Sequence, residues 1–354
     1  NGLSFEHFNF YESLRAMGHE LTYFDYPTII AEMGRTQANR QLEALVHDEQ
    51  PDVLLGIVRR DLISKRTMRR ISEQTSTTTI NWFCDDHWQF DSHALSWTPC
   101  FNHVVTTSQS AYQRYQTQGL TNVIKSQWGA NHSLYQPADG ELTYDVTFVG
   151  QPYGIREQAI STLQRAGINA RAWGSGWPNG KLSQSEMIRV FSQSRINLNF
   201  ADASSSTRTK LEALAVSHTV SSLCNKPVLW RAWSGAQRLA AWDKQRVAGK
   251  TDAPPRQIKG RVFEVPACGG FLLTQSAEDL HEYLKPGRDC ASFETIDDLV
   301  DQVRYYLDHE QERRAIAAQG YQRTLAEHTY AARFDAIFEQ AGVTSALTHK
   351  RKAA

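Results

Sequence analysis

The chain has 354 residues, enough for about two domains, and its 41% apolar and 21% charged residues are typical of a globular protein. Its 38 basic and 38 acidic residues balance, so the net charge gives no indication of nucleic-acid binding. Five scattered cysteines without a CxxC pair indicate neither a disulfide framework nor a zinc site, and no apolar run is long enough to span a bilayer. These features predict a cytoplasmic protein.

The first part of the chain alternates apolar runs with helical patterns. The predicted strands are residues 20–25, 52–58, 78–83, 103–107 and 122–126, and the predicted helices are residues 5–17, 37–49, 64–73 and 108–119. This alternation is typical of a parallel sheet with helices on both faces. Such a domain normally opens with a central strand, whereas this chain opens in a loop and a helix. We therefore expect a first strand upstream of Asn1.

A second alternating series follows a predicted linker at residues 129–142. Its predicted strands are residues 144–149, 170–173, 196–200 and 271–274, and its predicted helices are residues 155–166, 183–192, 296–307 and 331–342. Ser183 with Glu186, and Thr295 with Asp298, have the spacing of helix capping boxes. Two similar domains joined by a linker predict a cleft at their junction, with ligands at the carboxyl ends of the strands.

The domain prediction divides the chain at two places. Residues 1–143 form an N-terminal domain, residues 144–330 form a second domain, and residues 331–345 form a helix that packs back on the first domain. Residues 201–256 interrupt the second domain with a tryptophan-containing insertion in which basic and apolar residues alternate. The insertion is interpreted as a helical elaboration of the core, a lid, an oligomer contact or a peripheral membrane contact.

The segment QIKGRVFEVPACGGFLL at residues 257–273 is the most informative one. A helix N-terminus presents free N–H groups and a partial positive charge, which suit a phosphate. Glu264, one turn further in, can accept hydrogen bonds from sugar hydroxyls, so the segment fits a nucleotide diphosphate. Arg261 and Glu264 also have the spacing of an ordinary surface ion pair on a helix.

Other residues around this segment are candidates for the same ligand. Lys259 and Arg261 would reach a phosphate from one side. Arg156 begins a helix after the turn at Gly150, where it either reaches the phosphate from the other side or is a solvated helix start. Gly174 opens a Gly-Ser-Gly turn, and glycine allows close approach of the backbone to a nucleotide.

Acidic residues follow the end of a predicted strand in the first domain. Asp85, Asp86 and His87 lie where a catalytic group of such a domain is expected. An acceptor hydroxyl needs a base if transfer inverts the configuration. Adjacent acids can also hold a metal ion, or they can cap the next helix. All three interpretations stay open at this point.

Several motifs together resemble those of the CgeB-like group of GT-B glycosyltransferases. In chain order they are FVGQPYGIR at 148–156, SRINLNF at 194–200, IKGRVFEVPACGGFLLT at 258–274 and HTYAARF at 328–334. NWFCDDHW at 81–88 is similar to that group's acidic loop. The resemblance covers nearly the whole chain except the insertion. It implies an α/β, GT-B-like fold of two Rossmann-like, doubly wound domains that face a cleft, with the acceptor side first and the donor side second.

The resemblance also implies an activity and the role of Glu264, and the residue types and positions described above supply the other site candidates. The chain would transfer a sugar from a nucleotide-diphosphate sugar to an unidentified acceptor hydroxyl. Because the sequence lacks clustered His and Cys ligands, we expect no essential metal and no further cofactor. Asp85, Asp86 and His87 would be catalytic. The donor-binding residues would be Glu264, which holds the ribose, and Arg261, Lys259, Arg156, Gly150, Gly174, Gly269 and Gly270.

One position departs from the related families. Where those families carry a second glutamate, eight positions before the first, this chain has Arg256. The departure leaves the contact to the donor sugar unassigned and the stereochemistry of transfer open. Two alternative functions remain: a nucleotide-sugar-binding partner protein without transfer activity, and a nucleotide-sugar epimerase on the same fold.

Overall fold

The computed structural model describes residues 4–58, 62–202 and 256–343. The predicted insertion at 201–256 therefore lies, except for its ends, outside the described residues. The strands are β1 (Val53–Gly56), β2 (Thr78–Phe83), β3 (His103–Thr106), β4 (Val123–Lys125), β5 (Tyr144–Val149), β6 (Ala170–Trp173), β7 (Ser194–Asn199), β8 (Leu272–Gln275) and β9 (Ala291–Phe293).

Helices connect these strands. They are α1 (Glu12–Ala16), α2 (Tyr26–Met33), α3 (Arg35–Glu49), α4 (Lys65–Gln74), α5 (Asp86–Gln89), α6 (Leu95–Trp97), α7 (Gln109–Thr117), α8 (Arg156–Arg165), α9 (Gln184–Ser192), α10 (Arg261–Ala267), α11 (Leu280–Tyr283), α12 (Ile296–Asp308), α13 (Glu310–Glu327) and α14 (Tyr330–Gln340). A π-helical turn, His7–Tyr11, precedes α1. None of the described helices is long and apolar enough to cross a membrane.

By its internal contacts the chain divides into two compact units. The five-stranded unit contains, of the described residues, 4–21, 127–202 and 256–334. The four-stranded unit contains residues 22–58, 62–126 and 335–343. This division differs from the predicted boundary at residue 144, since the first 21 residues belong with the later part of the chain.

Aromatic packing explains why the N-terminal segment belongs to the five-stranded unit. The Phe10 ring lies 5.1 Å from the Tyr330 ring and 5.4 Å from the Phe334 ring, and it also faces Trp128. Asn131 Nδ2 donates a hydrogen bond to the Phe8 carbonyl at 2.7 Å. The segment therefore fills an apolar space that α14 and the predicted linker leave open.

The four-stranded unit is a parallel sheet in the order β1-β2-β3-β4. In its core, Leu42 and Val46 of α3 pack together with Met68 and Ile71 of α4 against the sheet. Tyr115 of α7 is fully buried in the same core. Burial of one such aliphatic side chain contributes about 1.5–3 kcal/mol. Helices that follow each strand cover the sheet because a parallel connection requires a crossover.

The five-stranded unit is also a parallel sheet, in the order β6-β5-β7-β8-β9. Leu163 of α8, Ile196 of β7, Leu273 of β8 and Val303 of α12 form its fully buried centre. These residues lie on elements that are far apart in sequence, so the core forms only when the whole unit is assembled. Both units therefore have the Rossmann-like α/β architecture that the alternation predicted.

Polar side chains begin several helices where the sequence predicted caps. Ser183 Oγ accepts the Glu186 backbone N–H at 3.3 Å, and the Glu186 carboxylate accepts the Ser183 backbone N–H at 2.7 Å. Thr295 Oγ1 likewise accepts the Asp298 N–H at 3.1 Å, at the start of α12. Each cap satisfies a backbone group that has no partner within the helix and stabilises it by about 1 kcal/mol.

One predicted strand is wrong. Residues 20–25 form no strand and lead directly into α2, and the Tyr23 side chain is 56% exposed. A strand needs a neighbour for its backbone N–H and C=O groups. No strand of the described residues pairs with this run. Helices α2 and α13 and strand β9 are elements that the pattern did not predict.

His328 joins three segments of the five-stranded unit. Its side chain is 4% exposed, and its Nε2 donates to the Tyr283 carbonyl at 2.7 Å while Nδ1 accepts from Arg333 Nη2 at 3.0 Å. The arginine can only donate, so this arrangement requires the neutral imidazole. Burial, together with the adjacent Arg333 charge, lowers the pKa of His328 to about 4. These contacts hold the segment before the last helix to the rest of the five-stranded unit.

We expect His328 to make the protein less stable in acid. The pKa is lower in the folded state, so the unfolded chain binds the proton first, and stability is lost as the pH falls from about 6.5 toward 4. The loss between pH 7 and pH 4.5 should be about 2–3 kcal/mol. His328→Gln keeps a donor and an acceptor but cannot titrate. Urea unfolding at both pH values should show a smaller acid loss for this variant.

His132→Gln is the matched control, because His132 belongs to the same unit and is exposed. It should leave the acid loss unchanged. The interpretation is wrong if His328→Gln retains the full pH dependence of the wild-type chain.

Candidate functional site

The strand order of the five-stranded unit creates a crevice at one edge of its sheet. β5 comes first in the chain, β6 lies on one side of it, and β7 lies on the other. In open α/β sheets, ligands bind outside the carboxyl ends of the strands where the direction of the strand order reverses. This point lies between β5 and β7. The loops at 150–155 and 200–202 flank it.

Arg156 begins α8 beside this crevice and is 6% exposed. Its Nη1 donates to the Gln151 carbonyl at 3.0 Å, and its Nη2 donates to Tyr153 Oη at 2.9 Å. Its guanidinium stacks on the Tyr153 ring at 3.7 Å. The alternative of a solvated helix start is therefore wrong.

The charge of Arg156 has no counter-ion in direct contact among the described residues, although the Asp202 carboxylate acts on it from further away. No carboxylate among the described residues forms a salt bridge with Arg156, and its Nε has no hydrogen-bond partner there. Burial lowers the pKa of the guanidinium. A buried cation without a carboxylate is costly unless an anion joins it. The position therefore suits an anionic ligand.

Arg261 and Glu264 form a buried ion pair in the first turn of α10. Glu264 is fully buried and Arg261 is 26% exposed, so the alternative of an ordinary surface pair is wrong. Arg261 Nη1 donates to Glu264 Oε2, and Tyr135 Oη donates to Glu264 Oε1 at 3.0 Å. Burial lowers the pKa of Arg261, but the charge of Glu264 and the hydrogen bond to it raise the pKa by more, so Arg261 remains charged.

The two arginines act on each other. Arg261 lies close enough to Arg156 for its charge to contribute to the lowered pKa of Arg156. Arg261 Nε, like Arg156 Nε, has no hydrogen-bond partner among the described residues. Like charges repel, so two guanidinium groups held near one another favour a ligand with negative charge between them. Lys259, two residues before Arg261, donates from Nζ to Gln257 Oε1 at 3.2 Å.

The predicted donor-binding glycines have packing roles in the backbone. A side chain at Gly174 would lie 2.2 Å from the Gly150 carbonyl oxygen, and the φ of Gly174 is +142°. A side chain at Gly270 would lie 2.6 Å from the Phe191 carbonyl oxygen, and Gly269, with φ at +72°, ends α10 in the left-handed region. Contact of these glycines with a nucleotide stays a prediction.

The acidic residues of the four-stranded unit differ strongly in exposure. Asp85 is exposed and His87 is partly buried, while Asp86 is 1% exposed. Tyr115 Oη donates to Asp86 Oδ2 at 3.2 Å, and Asp86 Oδ1 has no hydrogen-bond partner among the described residues. Burial raises the pKa of Asp86 to about 7. Asp85 precedes α5, but its side chain makes no capping hydrogen bond.

Three residues near the crevice were not predicted from the sequence. Tyr135, which holds Glu264, lies in a segment that was interpreted as a linker, and no pattern marks it. Asp202 follows β7, and Gln275 is the last residue of β8. A polar residue at the end of a buried strand, or within a few residues of it, is the signal that would have found Asp202 and Gln275. No group of three or more potential metal ligands occurs among the described residues.

Comparison with known proteins identifies the family. A family model described as glycosyl transferase-like matches residues 156–339, more than half of the chain. The chain belongs to this glycosyltransferase family. The match begins at Arg156 and includes the Arg261–Glu264 pair.

One curated relative supports the same assignment. The spore protein CgeB of Bacillus subtilis (strain 168) is 22% identical over 253 residues, which is 70% of each chain. The predicted resemblance to the CgeB-like group is thus confirmed.

Solved structures resemble the chain in fold. Sucrose-phosphate synthase from Thermosynechococcus elongatus superposes with a TM-score of 0.55 at 9% identity and covers 88% of this chain and 78% of its own. Anabaena HepE, solved in complex with UDP and glucose, gives a TM-score of 0.52 at 12% identity and covers 86% of this chain and 81% of its own. The prediction of a GT-B-like fold with two Rossmann-like domains is confirmed.

We expect Asp86→Asn to stabilise this glycosyltransferase above neutral pH. The pKa of Asp86 rises from 3.8 to about 7 on folding, so the stability that its protonated form contributes is lost as the pH rises through that range. Asparagine has the same shape and carries no charge. The free energy of unfolding at pH 8 should rise by about 2 kcal/mol or more, up to a limit of roughly 4 kcal/mol. Denaturant unfolding at pH 8 and pH 5 measures the gain.

The gain should fall by roughly half or more at pH 5, where only the folded state holds the proton, and it should disappear below about pH 4, where the unfolded chain is protonated as well. Asp85→Asn is the control, since its exposed side chain should change stability little at either pH. Equal effects of Asp86→Asn at the two pH values would contradict the raised pKa.

Proposed function

We propose that this chain binds a nucleotide-diphosphate sugar at the crevice between β5 and β7 and transfers the sugar to an acceptor hydroxyl. The observation that carries the proposal is the buried Arg156 at the point where the strand order reverses, with the partly exposed Arg261 close enough for its charge to act on it. Family membership indicates glycosyl transfer as the reaction class. A nucleoside diphosphate supplies negative charge in direct contact with Arg156, whose guanidinium forms no salt bridge with a described carboxylate, and Arg261 adds a second positive charge nearby.

The arginines would act on the leaving group. In the reaction the bond between the sugar carbon and the diphosphate oxygen breaks, and the diphosphate keeps the electron pair. The acceptor oxygen forms the new bond to that carbon and gives up its proton. Negative charge therefore grows on the diphosphate in the transition state. Fixed cations in a water-poor site stabilise such charge strongly.

Glu264 has two roles in this proposal. It holds Arg261 in the first turn of α10 through their ion pair, and Tyr135 fixes its other oxygen. Each carboxylate oxygen retains a second lone pair, so hydrogen bonds from the donor ribose are chemically allowed. Direct ribose contact requires Tyr135 or Arg261 to turn aside, because solvent does not reach the carboxylate.

The acceptor side of the proposal depends on the acidic residues of the four-stranded unit. Asp85, Asp86 and His87 remain the proposed source of a base, with Asp86 the member whose pKa lies near neutrality. A general base works best when its pKa lies near the operating pH. Asp86 lies beneath the surface, so a proton would have to reach it through Asp85, His87 or water.

A nucleotide-sugar-binding protein without transfer activity is the second candidate. The observation that favours it is Arg256, which stands where related families carry a glutamate and pairs with Glu294 at 2.5 Å. Incubation of the purified protein with labelled nucleotide sugars distinguishes the two. Release of nucleoside diphosphate, by transfer or by hydrolysis, supports an enzyme, whereas binding without release supports the second candidate.

We expect Arg156→Gln to weaken the binding of a nucleoside diphosphate by about ten- to a hundredfold, since a hydrogen bond to a charged group contributes roughly 1.5–3 kcal/mol. The probes are UDP, ADP, GDP, CDP and dTDP. UDP comes first because HepE was solved with it. Calorimetry of each diphosphate and of its parent nucleoside measures the effect, which should be much smaller for the nucleoside.

Arg165→Gln is the matched control, because it makes the same change in an exposed residue at the other end of α8. Its affinities should equal those of the wild type. The proposed donor site is refuted if Arg156→Gln folds and binds the diphosphate as tightly as the control does.

We also expect transfer to proceed without a tightly held metal, because Arg156 and Arg261 provide positive charge for the diphosphate. Activity should therefore persist after treatment with EDTA and gel filtration. Activity that EDTA abolishes and magnesium or manganese restores would reject this expectation. It would also make Asp85 and Asp86 candidates for metal ligands.

A further inference from the structure

Asp202 lies three residues beyond Asn199, the last residue of β7, beside the crevice between β5 and β7. It is 7% exposed. Gln275, at the end of β8, donates from Nε2 to Asp202 Oδ2 at 3.2 Å. Gln275 Oε1 also accepts the backbone N–H groups of Ala201 and Asp202 at 3.0 and 3.2 Å. The carboxylate is thus fixed in place by a neighbouring strand.

The two carboxylate oxygens of Asp202 differ in their partners. Oδ2 accepts the bond from Gln275, whereas Oδ1 faces Arg256 Nε at 3.6 Å, which is longer than a hydrogen bond. No donor among the described residues makes a hydrogen bond to Oδ1. A carboxylate can accept about four hydrogen bonds. Asp202 therefore keeps acceptor positions for a ligand.

The residues around Asp202 determine which part of a ligand its carboxylate can contact. Its charge acts on Arg156, and its Cβ lies 3.9 Å from where a side chain at Gly154 would begin. It thus packs against the loop that precedes the diphosphate-binding arginine. A carboxylate repels a phosphate, so its neighbour in a nucleotide sugar must be a neutral group with hydroxyls to donate.

We propose that Asp202 is a specificity-determining residue of the donor site, whose free carboxylate oxygen accepts hydrogen bonds from hydroxyl groups of the transferred sugar. The inference rests on the proposed function, because it needs a nucleotide-diphosphate sugar held by Arg156. It assigns the sugar contact to Asp202 in place of the position that Arg256 occupies. The donors that fit are neutral sugars with free hydroxyls on the side that faces β7.

A purely structural role for Asp202 predicts something different. Asp202 and Arg256 form an isolated antiparallel bridge, and Gln257 N donates to the Ala201 carbonyl at 3.0 Å. Arg256 also bonds the Glu294 carboxylate at 2.5 Å. In that role Asp202 would hold two stretches of backbone together, and its loss would affect every ligand of the unit equally. A sugar contact affects only ligands that carry the sugar.

The experiment compares a nucleoside diphosphate with its sugar conjugate. Calorimetry measures both for the wild type, Asp202→Asn and Asp145→Asn, with UDP and UDP-glucose as first probes and the ADP, GDP, CDP and dTDP pairs as the remaining panel. Asp145→Asn is the matched control. Asp145 pairs with Arg195 at 3.5 Å near the amino-terminal ends of β5 and β7, away from the crevice.

We expect Asp202→Asn to bind the diphosphate within about twofold of the wild type and to bind the sugar conjugate about tenfold or more weakly, as loss of a hydrogen bond to a charged group implies. Asp145→Asn should leave both affinities unchanged. Unchanged affinity of Asp202→Asn for the conjugate overturns the inference. An equal loss for both probes also overturns it, in favour of the structural role.

Two further outcomes keep the test decisive. If Asp202→Asn does not fold, wild-type protein is titrated with conjugates of singly deoxygenated sugars. Loss of affinity on removal of at least one hydroxyl supports the sugar contact, and tight binding of every deoxy conjugate overturns it. If the wild type binds no nucleoside diphosphate at all, the proposed function fails, and the Asp202 inference fails with it.

Discussion

Burial of positive charge at the carboxyl edge of the five-stranded sheet is the constraint on which the site depends. Arg156 and Arg261 come from segments more than 100 residues apart, and each has a guanidinium nitrogen without a partner among the described residues. The fold stabilises them in different ways: Arg261 has Glu264 as its counter-ion, whereas Arg156 has backbone carbonyls and the Tyr153 ring. An anionic ligand would complete the arrangement, because Arg156 otherwise keeps its charge out of water without a carboxylate in direct contact among the described residues.

Local sequence signals predicted most of the sheet and helix framework correctly. The Ser183–Glu186 spacing marked the start of α9, and the apolar periodicity from Ile296 marked α12, since caps and periodic burial are local properties. The same kind of signal was overlooked for α2, where Asp25 caps the helix and Pro27 stands in its first turn. The predicted strand at 20–25 failed for a non-local reason, because pairing depends on a neighbour that the run itself cannot specify.

The charged residues of the candidate site could be predicted from the sequence, but whether they are buried could not. Arg156, Arg261 and Glu264 were predicted because a cation beside a turn and an acid in a first helical turn are visible in the sequence. Whether such a pair lies at a surface or in a core is a tertiary property, so spacing alone left both possibilities open. Tyr135 was missed because a buried tyrosine in an apparent linker has no sequence pattern. Its hydroxyl becomes meaningful only beside Glu264, 129 positions away.

Arg256 shows how a single charge reversal changes the chemistry around it. A glutamate there would lie near Asp202 and Glu294 and would repel both, whereas arginine attracts both. The charge reversal therefore removes one carboxylate and helps to hold another, Asp202, at the edge of the crevice. The position of Asp202 does not depend on Arg256 alone, since Gln275 binds both the side chain and the backbone of Asp202. A departure from the glutamate pattern is thus compatible with a donor site that still presents a carboxylate, supplied by a different strand end.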